Sequence, residues 1–95
     1  MASVIAQATD ITADTDTTIC THAAVYYGMS SRASGVATDG VVVRTSSQTG
    51  AVIDRILHTA AGKDYHAFPN GIHCPRGIYV QTDALSTGTT IYWSA

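Results

Sequence analysis

Glutamate is missing altogether from this 95-residue chain, and its seven acidic residues are all aspartates. No two of them form a carboxylate pair set among aromatic residues, as glycoside cleavage would need. Charge of either sign is scarce, at 13% of the chain, about half the share usual in soluble domains. The five basic residues, Arg32, Arg44, Arg55, Lys63 and Arg76, are scattered, so no stripe exists to neutralise a run of phosphates. Nucleic acid is therefore not an expected partner. Long apolar runs are also lacking: Val41, Val42 and Val43 make one of the longest, and MASVIAQATD has neither a basic start nor an extended apolar segment. A soluble chain with no membrane partner and no targeting address is expected.

The motifs of catalysis are absent too. There is no Gly-x-Ser-x-Gly elbow, and the eight glycines are spread one per turn, so no phosphate-cradling loop forms. Ser, His and Asp are all present, but presence without spacing carries no information about a triad. Asp10, Asp14 and Asp16 lack the Gly at the sixth position and the Glu at the twelfth that a calcium loop requires. Cys20, His22, His66, His73 and Cys74 are metal-ligand types, yet no Cys-x2-Cys or His-x3-His pair anchors a site. His73 and Cys74, being adjacent, point to opposite sides of a strand. No catalytic, cofactor-binding or metal-ligating residue is expected, and the chain is not expected to be an enzyme. Cys20 and Cys74 read as reduced, buried thiols, although spacing alone leaves a bridge between them open.

What is there is Thr, Ala and Val in period-two alternation, with turn signals about every ten residues and no sustained helical stripe. A chain this short holds one domain. Strands are expected at Thr17 to Cys20, across AAVYYGMSSR (23–32), in VVVRTSS (41–47), and in AVIDRILHT (51–59), where broken alternation predicts a β-bulge. In the 23–32 strand, strict alternation puts Val25, Tyr27 and Met29 on one face and Tyr26, Gly28 and Ser30 on the other. Pro-Asn-Gly and Pro-Arg-Gly each predict a reverse turn, and 77–82 with 89–94 read as a closing hairpin. Residues 1–16, rich in Ala, Thr and Asp, read as an extended N-terminal arm, and 17–95 as the domain. The expected fold is all-β, a single-domain antiparallel β-sandwich of jelly-roll type with seven or eight strands.

Low charge favours a surface that lies against other proteins. Adjacent aromatics in a strand present one ring to each face, so Tyr26/Tyr27 and Tyr92/Trp93 each commit one ring to the core and one to the exterior. The outer rings serve to cover the sheet, to contact protein, or to stack on sugar. The candidates for protein contact are Val4, Ile5 and Ile11 on the arm, with Tyr26 and Tyr92 on the strands.

Four segments, VYYGMSSRAS, VVVRTSS followed by TGAVIDRI, FPNGIHCPRGIYVQT and the closing TTIYWSA, resemble small β-sandwich structural proteins encoded by tailed bacteriophages. The resemblance covers roughly residues 17–94. It implies a virion protein made in the host cytoplasm, with head decoration as a trimer on the major capsid protein as the leading role. The alternatives are a neck, tail or fibre-associated virion component, or a small carbohydrate-binding module.

Overall fold

The computed structural model of the chain describes residues 7–36 and 40–95. Eight strands run through them in chain order: β1 (Gln7–Ile11), β2 (Asp16–Cys20), β3 (Ala24–Ala33), β4 (Val41–Thr45), β5 (Val52–Ile56), β6 (Gly62–Cys74), β7 (Ile78–Thr82) and β8 (Ser86–Ser94). They form two antiparallel sheets of four, ordered β1-β8-β3-β6 and β2-β7-β4-β5. Each pair whose strand numbers add to nine is hydrogen bonded, with β3–β8 and β4–β7 stitching those pairs into sheets. This is the jelly-roll order, so the expected all-β sandwich is the fold.

The core lies between the sheets. Tyr26, Met29, Ile91 and Trp93 from the first sheet meet Val41, Val43, Ile56, Ile78 and Val80 from the second. Ile91 and Trp93 point inward and Tyr92 outward, as alternation expects. On β3 alternation fails, because Tyr26 and Met29 are both fully buried although three positions separate them. A bulge is responsible: against β8 the register slips between Tyr26 and Gly28, leaving Tyr27 as the extra residue, and Gly28 sits at φ +137°. The extra residue reverses the parity of the strand, so Met29 and Ser31 face the core with Tyr26.

The bulge expected in 51–59 is present, with Val43 opposite Asp54 and Arg44 opposite Val52, so Ile53 is the extra residue. Pro75 and Arg76 form the expected turn, closed by Gly77 N–H donating to Cys74 O over 3.3 Å. Pro69-Asn70-Gly71 does not end a strand. Between the pairs Tyr26–Ile72 and Gly28–Ala67, β3 uses one residue and β6 uses four. The surplus loops out of β6, which is an edge strand and loses no second partner there.

The closing hairpin is also corrected. β7 and β8 belong to different sheets, and residues 83–85 carry the chain across the end of the sandwich. Asp83 shapes that crossing: its carboxylate accepts from Leu85 N and its carbonyl from Ser86 N.

The arm expected over 1–16 divides at residue 7. Residues 1–6 lie outside the described residues. Residues 7–11 are β1, paired in full register with β8 from Gln7–Trp93 to Ile11–Thr89. Trp93 Nε1–H donates to Thr9 Oγ1 over 2.9 Å, tying β1 to the core tryptophan. The connection to β2 is pinned as well: Thr82 Oγ1 lies 2.7 Å from Thr12 O and accepts from Thr15 N, while Asp14 N donates to Asp83 O. The sandwich therefore takes in residues that the Asp and Thr content had suggested were an arm.

Candidate functional site

Two buried polar networks bring together the residue types of acid–base chemistry. In the first, Tyr26 O–H donates to Asp54 Oδ2 over 2.6 Å, and Asp54 Oδ1 lies 2.7 Å from His66 Nδ1. Tyr26 is on β3, Asp54 on β5 and His66 on β6, so the network bridges the sheets beside their β5 and β6 edges. Burial, then the hydrogen bond to Asp54, pushes the Tyr26 phenol far above its ordinary range. A phenol held neutral this way is an anchor for the carboxylate.

In the second network, His58 Nε2 and Ser31 Oγ are 2.9 Å apart, and Ser31 Oγ is 3.1 Å from Thr89 Oγ1. Ser–His contact at this distance matches a nucleophile and its base. Ser31 is fully buried and His58 is 5% exposed, however, so no substrate atom reaches the hydroxyl. Both networks satisfy polar groups in the core. Among the described residues no three of His, Cys, Asp and Glu cluster to hold a metal ion. Cys20 and Cys74 are unbridged and buried, and burial followed by the nearby Cys20 raises the Cys74 thiol pKa.

The outer faces of the two sheets differ in chemistry. On the second sheet the register aligns Asp16, Gln81, Val42 and Arg55 in one row across β2, β7, β4 and β5, with Thr18, Tyr79, Arg44 and Val52 in the next. Carboxylate thus stands at the β2 edge and guanidinium at the β5 edge, about 14 Å away over three strand spacings. Between them lies a depression of about 680 Å³ that also takes in Leu85. Arg44 is held in place, its Nε donating to Gln81 Oε1 over 2.9 Å and Nη1 to Gly50 O over 3.0 Å. Burial, then a hydrogen bond with Asp16, raises the Tyr79 phenol. Val52 at the β5 edge and Leu85 in the 83–85 crossing are exposed aliphatic residues, so the face mixes apolar area with Gln81 and Arg44 at its centre and charges of opposite sign at its sides.

The first sheet presents tyrosines instead. Its rows read Ala8, Tyr92, Gly28, Ala67 and then Asp10, Thr90, Ser30, Tyr65 across β1, β8, β3 and β6. Gly28 carries no side chain, so the floor beside Tyr92 drops away. Tyr27, Tyr65 and Tyr92 surround a depression of about 350 Å³ with Ser30, Lys63 and His66. Gly71, at φ +72°, makes room for one wall: a Cβ there would come within 3.0 Å of the Tyr27 ring.

Of the residues expected to contact protein, Val4 and Ile5 lie outside the described residues. Tyr26 is corrected: it is fully buried, because the β3 bulge turns Tyr27 outward and Tyr26 into the core. Ile11 is corrected as well, being 5% exposed where β1 closes over the core. Tyr92 is 39% exposed and lies on the tyrosine face. Sequence reasoning missed Tyr65, Ser30 and the Asp16–Arg55 row. The pairing of β6 with β3 places the first two, and no local pattern encodes it. Compared with known proteins, the chain matches no family model, no curated protein and no solved structure.

Proposed function

We propose that this chain is a non-catalytic structural protein of a tailed-phage virion, a head decoration protein that binds the capsid surface as a trimer. The observation that carries the binding role is the second sheet's outer face, where Val42, Val52 and Leu85 give apolar area around a fixed Arg44, with Asp16 at the β2 edge and Arg55 at the β5 edge. Aliphatic area excludes water from a contact, and separated charges of opposite sign orient it. The low overall charge and the phage-like segments support the virion setting. A closed ring of three subunits multiplies a small contact into a stable one, which suits a 9.9 kDa chain.

The test is co-sedimentation of purified protein with phage heads that lack it, beside the Arg55→Asp and Val52→Asp variants. Attachment should be saturable and weakened at least about tenfold by either change, since the first reverses a flanking charge and the second puts a charge on exposed apolar area of the face. Light scattering should give the mass of three chains. Binding to tails and not heads would move the protein to the neck or tail. Variants that attach as tightly as the parent would remove this face from the contact.

A further inference from the structure

We infer that the tyrosine-walled depression on the first sheet is a saccharide site that takes a short oligosaccharide of neutral pyranose units. It lies on the opposite side of the sandwich from the proposed capsid contact, so both can be occupied at once.

The chemistry on the page separates this groove from a protein contact. The exposed large apolar side chains of the first sheet are tyrosines, Tyr65 at 70% and Tyr92 at 39%, whereas of the exposed aliphatic residues Val52 is on the second sheet and Val36, Leu57 and Leu85 are in loops that join the two sheets. A pyranose ring offers C–H groups on its faces and hydroxyls at its rim. It suits rings that are themselves amphipathic, with hydroxyl and amine donors between them. Ser30 and Lys63 stand in those positions, while the His66 side chain is turned to Asp54.

Size agrees. Tyr92 and Tyr65 lie on a diagonal across Gly28 and Ser30, two strand spacings apart and two residues along, or about 12 Å between backbones. That span and about 350 Å³ accommodate two or three sugar units.

The walls are set before any ligand arrives. The β3 bulge directs Tyr27 outward, Gly71 leaves its ring room, and Tyr92 and Tyr65 stand on paired strands. Thr90 Oγ1–H donates to Asp10 Oδ1 over 2.8 Å, which holds that acid at the edge of the face. The backbone under each wall is thus fixed, and the exposed Tyr65 ring is what binding has to order.

The experiment is an amide NMR titration of the full chain with chitotriose, cellotriose and galactotriose, each to about 10 mM, a range that captures weak binding. At least one should shift Tyr27, Ser30, Tyr65 and Tyr92 saturably while leaving Val42, Arg44 and Arg55 in place. Tyr65→Ala and Tyr92→Ala should each weaken that binding about five- to tenfold, the worth of one stacked ring. Tyr65 is mostly exposed, so Tyr65→Ala should fold and suffices alone should Tyr92→Ala not. No saturable shift from any of the three sugars, or equal affinity in Tyr65→Ala, overturns the site. Failure of head attachment with intact sugar binding would count against the virion role alone. Loss of head attachment in Tyr65→Ala without sugar binding would make the groove a protein contact and overturn the inference.

Discussion

Tyr26 and Asp54 face each other across the sandwich, the phenol of β3 donating to the carboxylate of β5 over 2.6 Å at a point where both side chains are buried. The bond crosses from one sheet to the other, which no backbone ladder does, and so it fixes how the β5 edge sits over β6.

Removing the donor should therefore cost more than an ordinary hydroxyl. Tyr26→Phe keeps the ring and its packing on Phe68, whose centroid is 6.0 Å away, and deletes only the bond to a charged acceptor. The expected loss is about 1.5–3 kcal/mol. Asp54→Ala strands the buried phenol and also frees His66, so about 3 kcal/mol or more is expected. Urea unfolding at neutral pH checks both, the midpoint falling with little change of slope.

Alkaline stability should report the same phenol. Tyr26 ionises far above its ordinary value of 10.0 when folded, so only the unfolded chain loses that proton as pH first passes 10.0. The unfolded state then binds fewer protons than the folded one, and stability falls with rising pH. The contribution is complete below pH 10.0 and declines above it at about 1.4 kcal/mol per pH unit. Tyr26→Phe should flatten that decline by one proton, as read from urea midpoints between about pH 9 and 11. An identical slope in the variant would show that other groups set the alkaline limit.

Two glycines with similar backbones should respond differently to alanine. Gly28 at φ +137° and Gly62 at φ +146° are both strained by a Cβ. At Gly28 that Cβ would come within 2.1 Å of the His66 carbonyl oxygen, which belongs to the paired strand, whereas at Gly62 no atom of the described residues lies within 4 Å. Gly62→Ala should cost about 1 kcal/mol. Gly28→Ala should cost about 3 kcal/mol or more, or abolish folding, because the bulge must shift. Thermal unfolding ranks the two.

Ser86 tests the opposite direction. Among the described residues its side-chain oxygen is buried without a hydrogen-bond partner, and the residue is fully enclosed where β8 begins opposite Ala33. Ser86→Ala removes a desolvated hydroxyl and leaves nearly the same volume. Stability should hold or rise by about 1 kcal/mol, measured by the same urea titration.

The two cysteines give a kinetic check. Cys74 is fully buried and Cys20 is 8% exposed, and burial raises the Cys74 thiol. Thiolate is the reactive form, so labelling of Cys74 by a disulfide reagent should wait on opening of the sandwich and speed up with urea. Fast labelling in native buffer would mean that this end opens locally.

Much of the architecture was readable along the chain. Val41 to Val43, the alternation of Ile91, Tyr92 and Trp93, and the broken pattern of AVIDRILHT each mark a strand, because the pleat has period two and one side of each sheet is buried. The readings that failed share one cause. Alternation and turn signals point to Tyr26 as a contact residue, Ile11 as part of an arm and β7–β8 as a hairpin, because local patterns report neither pairing partners nor bulges. A single extra residue at the β3 bulge exchanges the two faces of the strand, so the sequence could say that one of Tyr26 and Tyr27 points inward and not which.

The site was less legible still. Asp16 and Arg55 are far apart in sequence, and only the order β2-β7-β4-β5 sets them at opposite edges of one face. Tyr27, Tyr65 and Tyr92 gather only because β3 lies between β8 and β6. The sequence by itself determined an all-β chain with little charge and no motif for catalysis, since these follow from composition and short-range periodicity. The tertiary structure alone decided which tyrosines are buried, that residues 7–16 join the sandwich, and that each sheet carries a different outer face. Those outcomes depend on contacts between residues distant in sequence, which local pattern does not record.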